Sequence, residues 1–265
     1  MLDRLTRATR NAVAGRAGLS RRGHLLSARA ALCGAVALLA AACSSTTHST
    51  NLDTAGFYVT YTLVSAEGRP GRAVAEFRVL DEEGSDLELV GGDAIAVDGV
   101  PLLRVDNSVV GDELALMPWA ALRYEVEVGG RARHLFTLVR DGEAATSRPL
   151  DEVAAPAPTL GGTAMATARY TDPLTVIWAP LAGSTVRVVA TATDTAHCSS
   201  PTLVESTADV GSYALDAARL HPAGDATGCT FRVTVVRTRS EPIGGPFHGG
   251  AVRTIASGSL GLTLR

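Results

Sequence analysis

The sequence predicts an all-β protein of two sandwich-like domains, and three observations lead there. Short runs alternate apolar and polar residues, as half-buried strands do. Gly, Pro and Asp clusters punctuate those runs at short intervals. After the first forty-two residues no stretch sustains a helical period, and only Ser212–Leu220 could form a short helix. The expected organisation is a signal segment at 1–42, an anchor and polar tether at 43–53, a first domain at 54–150, a linker at 151–158 and a second domain at 159–265.

The N-terminal segment has the order of an export signal. Arg4, Arg7, Arg10, Arg16, Arg21, Arg22 and Arg29 face a single acid, Asp3, and the uncharged run Ala30–Ala42 follows. Thirteen helical residues span about 20 Å, short of the roughly 30 Å hydrocarbon core, so the run reads as a signal and not a permanent span. Leu39-Ala40-Ala41-Ala42-Cys43 resembles the lipobox of bacterial lipoproteins, departing from it at Ala40 where Leu is usual. The resemblance implies cleavage before Cys43, a diacylglyceryl thioether on that residue and an extracytoplasmic, membrane-attached product. Several acyl chains together give stable anchoring, at about 0.8 kcal/mol per buried methylene. Cleavage after the small residues Ala40-Ala41-Ala42 by ordinary signal peptidase is the alternative and would release a soluble protein. Ser20-Arg21-Arg22-Gly23-His24-Leu25-Leu26 resembles a twin-arginine export motif, so both export routes stay open. Ser44 is not the Asp associated with inner-membrane retention, which favours an outer-membrane address in an organism that has one.

Ser44–Asp53 is polar and reads as a tether. Phe57, Val59, Tyr61 and Leu63 alternate with polar residues, as do Ala73, Ala75, Phe77 and Val79, giving two half-buried strands. Leu87–Val90 is a short strand, Asp98-Gly99 signals a hairpin, and Pro101 marks an edge. Leu122–Val128, Gly129-Gly130 and Arg133–Val139 read as the clearest hairpin in the chain. Asp151–Pro158 carries two prolines and reads as a linker. Beyond it, Leu174–Trp178, Thr185–Thr193, Ser212–Leu215, Thr230–Arg237, Ala251–Ala256 and Ser259–Leu264 are expected strands, with Ser257-Gly258-Ser259 as a turn entering the last.

Pro173-Leu174-Thr175-Val176-Ile177-Trp178-Ala179-Pro180 resembles the Trp-bearing strand of fibronectin type III and related immunoglobulin-like domains. Asp209-Val210-Gly211-Ser212-Tyr213 resembles the tyrosine corner of that group, with Leu215 where immunoglobulin domains have Cys. The resemblance implies immunoglobulin-like sandwiches in which Trp178 packs between sheets.

After the signal the chain carries 17 Arg against 26 acids, so no basic footprint for nucleic acid remains. There is no Lys, which excludes Schiff-base chemistry and the phosphate-loop lysine. Residues 44–154 are acidic, with 9 Arg against 19 acids, while 155–265 balance 8 Arg against 7. Cys198 and Cys229 form an even pair in an oxidising compartment and are expected to be disulfide-bonded.

No reaction centre is legible. His48, His134, His197, His221 and His248 lack zinc spacing, and no G-x-S-x-G occurs. Asp81, Glu83 and Asp86 are weak candidates for Ca²⁺, the alternative being a solvated turn. Phe247 and His248, set among glycines, form a candidate binding loop, the alternative being a loop that buries its one aromatic. These features favour a non-enzymatic binding, adhesion or scaffold module without cofactor, with an envelope protein or glycan as partner. An accessory subunit of a secretion or polysaccharide assembly, pairing through an edge strand, is the alternative; a hydrolase with a fold-assembled site is the third.

Overall fold

A computed structural model of the chain describes residues 46–106, 119–193, 198, 202–220 and 228–265. The expected signal segment, Cys43, His197 and His221 lie outside these residues. The body Ser45–Arg265 is one compact unit. In chain order its strands are β1 (Thr47–His48), β2 (Phe57–Ala66), β3 (Gly71–Val79), β4 (Leu87–Glu88), β5 (Ala94–Val97), β6 (Val100–Pro101) and β7 (Leu103–Asp106). There follow β8 (Leu122–Val128), β9 (Arg133–His134), β10 (Phe136–Arg140), β11 (Glu143–Thr146), β12 (Leu150–Asp151), β13 (Thr159–Leu160) and β14 (Met165–Ala168). The last are β15 (Leu174–Ile177), β16 (Thr185–Ala192), β17 (Thr202–Ala208), β18 (Ser212–Leu215), β19 (Cys229–Pro242) and β20 (Gly249–Leu264).

The fold is all-β, and its frame is one nine-stranded sheet in the order β17-β16-β19-β20-β2-β3-β8-β7, with β14 beside the far end of β20. The hairpin β19–β20 is the spine of this sheet. Its residues pair from Cys229 with Leu264 at one end to Pro242 with Ala251 at the other. Along its outer side β20 pairs in parallel first with β2 and then with β14. The expected break at Ser257-Gly258-Ser259 is absent, because these residues pair with Val236, Val235 and Thr234 inside a continuous strand.

Two smaller sheets cover one face. The sheet β11-β10-β5-β6 lies over β2, β3 and β8, and encloses Phe57, Tyr61, Phe77 and Phe136 in the first core. Tyr61 stacks on Phe136 with ring centroids 4.6 Å apart, and Phe77 meets Tyr61 edge-on at 6.2 Å. Such pairs contribute about 0.5–1.5 kcal/mol each beyond their buried area. The sheet β13-β15-β18 covers β16, β19 and the end of β20, enclosing Trp178, Phe231, Leu260, Leu262 and Leu264 in the second core. Two sandwiches therefore share a single sheet, and Val252 of β20 belongs to the first core while Leu260 belongs to the second.

Between the cores the segment Asp151–Pro158 crosses the hairpin. Val153, Pro156 and Pro158 are buried, and a Cβ added at Gly258 would fall 1.8 Å from the Pro156 carbonyl oxygen. Glycine in the middle of a strand marks a close backbone approach.

The tether is shorter than expected. Thr47 and His48 pair in parallel with Leu87 and Glu88, and the buried Ser49 hydroxyl accepts the Val90 N–H at 3.0 Å. Arg140 donates to the carbonyls of Ser49 and Leu52 and lies over the Phe57 ring. The Asp98-Gly99 hairpin forms as expected, with φ of 51° and 81°, and Pro101 sits on the edge strand β6. The expected hairpin across Gly129-Gly130 does not form, because both edges of β8 are already occupied by β3 and β7. The chain instead leaves the large sheet there and enters the covering sheet through β10, which pairs with β5 and β11. Ser212–Leu220 is strand β18 followed by a single 3-10 turn, Ala217–Arg219.

Candidate functional site

The other face of the nine-stranded sheet is where side chains from both sandwiches meet. Register sets them in rows. Thr185, Thr238, Ile255 and Val64 lie opposite one another across β16, β19, β20 and β2. Beside them stand Arg253, Thr62 and Val74, and one row further Thr60 faces Glu76. On the opposite flank Ser206, Arg187 and Val236 align across β17, β16 and β19. Val64, Val74, Val236 and Ile255 form a small apolar cluster against which Trp119 packs. Trp119, Glu76, Arg253 and the hydroxyl-bearing residues then enclose an open cleft of about 300 Å³.

Its charges are balanced. Glu82 accepts from Arg253 Nη2 at 3.0 Å on one rim, and Arg187 lies on the other side. Glu76 is buried on the floor, where its Oε1 accepts the Ala120 N–H. Burial pushes the Glu76 carboxyl above its ordinary value, and the Ala120 N–H with Arg78, Arg253 and Arg123 offsets only part of that effect.

The residues singled out from sequence are dispersed. Cys198 and Cys229, both buried, are joined in a disulfide with Cα atoms 5.6 Å apart. Asp81, Glu83 and Asp86 do not converge: Asp81 accepts the Glu83 N–H, and Asp86 accepts the Leu122 N–H while standing near Arg78. Among the described residues no group of three or more His, Cys, Asp or Glu side chains is placed to hold a metal. Phe247 covers the first core edge-on to Tyr61, and the His248 N–H donates to the Phe57 carbonyl, so this loop serves as a lid on the core.

His134 is buried, with Nδ1 2.8 Å from Asp98 and Nε2 3.4 Å from Glu152. Its second nitrogen faces a carboxylate where a hydrolytic triad would place a nucleophile. Burial pushes the Asp98 carboxyl up, but the Leu135 N–H, His134 and Arg131 outweigh it and hold the group below its ordinary value.

A buried polar knot escaped the sequence reading. Asp209 accepts from Trp178 Nε1 at 2.7 Å, from the Ser184 hydroxyl at 2.8 Å and from Arg237 Nε at 2.6 Å. Arg237 also donates to the carbonyls of Ala154 and Ala179, tying the crossing segment to the second sandwich. The Trp178 motif did place the indole correctly, since Trp178 is buried between the sheets. Nothing in the local pattern distinguishes Glu76, Trp119 or Arg237, and the tyrosine-corner resemblance that includes Asp209 does not name its partners, because each acquires its setting from strands far away in sequence.

Comparison with protein-family models gives no match, and comparison with curated proteins gives none. Among solved structures, the crystal structure of chicken CNTN1 FN1-FN3 domains matches with 12% identity and a TM-score of 0.19. That match covers 70% of this chain and 62% of the other. At this score it carries no argument, and the all-β assignment rests on the strands and their pairing.

Proposed function

We propose that the protein is a lipid-anchored binding or scaffold module of the cell envelope, held on the extracytoplasmic side through Cys43 and acting without a reaction centre. The observation that carries the binding role is the open cleft on the shared sheet, lined by an aromatic, two arginines and two carboxylates from both sandwiches. The lipobox-like Leu39–Cys43 supports the anchor, and the Cys198–Cys229 disulfide agrees with an oxidising compartment. The test is the intact mass of the membrane-fraction protein, wild type beside Cys43→Ala, in a bacterium that processes lipoproteins. Added acyl mass on a product beginning at Cys43, lost in the variant, is the expected result. An unlipidated soluble product overturns the anchor.

A second reading is an accessory subunit that pairs through an edge strand. Strand β17 ends the large sheet and exposes Val204. Recovery with one stoichiometric partner, lost on Val204→Pro, favours this reading over an independent binding module.

A further inference from the structure

We propose that the cleft on the shared sheet binds a neutral saccharide chain. The proposal rests on the binding-module reading and adds the class of ligand. The strands that floor the cleft, from β16 through β19, β20 and β2 to β3, are each already paired on both sides, and only Ser206 at its rim comes from the edge strand β17. The floor therefore offers no free backbone ladder to an added peptide strand, and recognition falls to side chains.

Those side chains suit sugar hydroxyls. Each sugar hydroxyl both donates and accepts, and the lining supplies both capacities. Thr185, Thr238 and Ser206 do either, Arg187 and Arg253 donate, and Glu82 accepts. Trp119 supplies an indole among them, an apolar body for the C–H face of a sugar ring with an N–H at its edge.

Charge narrows the class further. Glu76 and Glu82 stand against Arg187 and Arg253, and Arg253 already donates to Glu82. A polyanion would find no net positive charge in this lining to offset its desolvation, whereas a neutral ligand has no such cost. The volume of about 300 Å³ is at the small end of ligand clefts, and its open form lets a longer chain run past its ends.

The experiment is calorimetric titration of the processed full chain with maltohexaose and chitohexaose, alongside polygalacturonate and an unstructured neutral peptide. Saturable binding of at least one neutral hexasaccharide is expected, with Kd at or below about 1 mM. Thr238→Arg, which projects a long side chain from a half-exposed position on the cleft floor, should weaken that binding at least tenfold at an unchanged melting temperature. Trp119→Phe should weaken it less than Thr238→Arg. No saturable heat from either hexasaccharide overturns the proposal, as does binding confined to polygalacturonate or the peptide. Equal affinity in wild type and folded Thr238→Arg overturns it too, by placing the ligand elsewhere. The acyl mass on Cys43, measured on the same preparation, separates the two ideas. Acylated protein that ignores the hexasaccharides defeats the saccharide proposal and leaves the anchored module standing. Unacylated protein that binds them does the reverse.

Discussion

Asp209 is the residue whose environment most exceeds what its neighbours in sequence foretell. Its side chain is 0% exposed and that of Arg237 is 4% exposed, so the pair persists only because Trp178, Ser184 and two carbonyls satisfy the remaining polar atoms. Removing one partner leaves a buried, uncompensated charge. Asp209→Ala is therefore expected to cost about 3–5 kcal/mol in chemical denaturation, more than a surface aspartate change. Burial pushes the Asp209 carboxyl up, but the bonds from Trp178, Arg237 and Ser184 outweigh it and hold it below the ordinary value. Stability from this group is present above the unfolded aspartate pKa and is lost as pH falls through the lower folded value. The wild type should accordingly lose stability below about pH 4, and that part of the acid limb should be missing in the variant. Equal acid limbs in the two proteins would show that the knot does not hold the carboxylate ionised. Sequence could name Trp178 through one motif and Asp209 through another, yet not their bond, because the two lie thirty-one positions apart and neither motif specifies the other.

Strands were legible where alternation was clean, and pairings where a turn was tight. Asp98-Gly99 shows both, since its backbone geometry needs little beyond those two residues. The Gly129-Gly130 hairpin failed because a pairing choice depends on which strand edges are free, and β3 and β7 had filled both. The sequence divides β20 into two strands because Gly258 looks like a turn residue, while its actual role is to admit the crossing segment. Gly258→Ala should test this role: a methyl group directed at the Pro156 carbonyl must displace the segment or bend the strand. The expected result is a loss of about 1–3 kcal/mol, against a few tenths for alanine at Gly129 or Gly244, which have open space and no left-handed φ. A stability gain, as expected for a glycine merely replaced in a relaxed strand, would contradict the crossing.

The whole molecule joins two sandwiches through a sheet that belongs to both. Hydrogen bonds run without interruption from β17 of the second sandwich to β7 of the first. Unfolding either sandwich alone would strip one end of β20, whose Val252 lies in the first core and whose Leu260, Leu262 and Leu264 lie in the second. A single calorimetric transition is expected, with calorimetric and van't Hoff enthalpies equal. Two resolved transitions would mean that the spine melts in segments. The charge shift near residue 154 marks the place where the covering sheets change, from β11-β10-β5-β6 to β13-β15-β18. Composition could not reveal that the C-terminal hairpin returns to the first core, since no local signal encodes the partner of a parallel strand such as β2.

Because Thr47 is already hydrogen-bonded into the fold, only Ser44, Ser45 and Thr46 separate Cys43 from the first strand. Four Cα steps reach at most about 14 Å. If Cys43 is acylated, the body rides on the bilayer as a low mooring and not as a float on a long line. Its range across the envelope is then set by its own dimensions and by lateral drift of the lipid, so anything it captures must come to within one molecular height of that membrane.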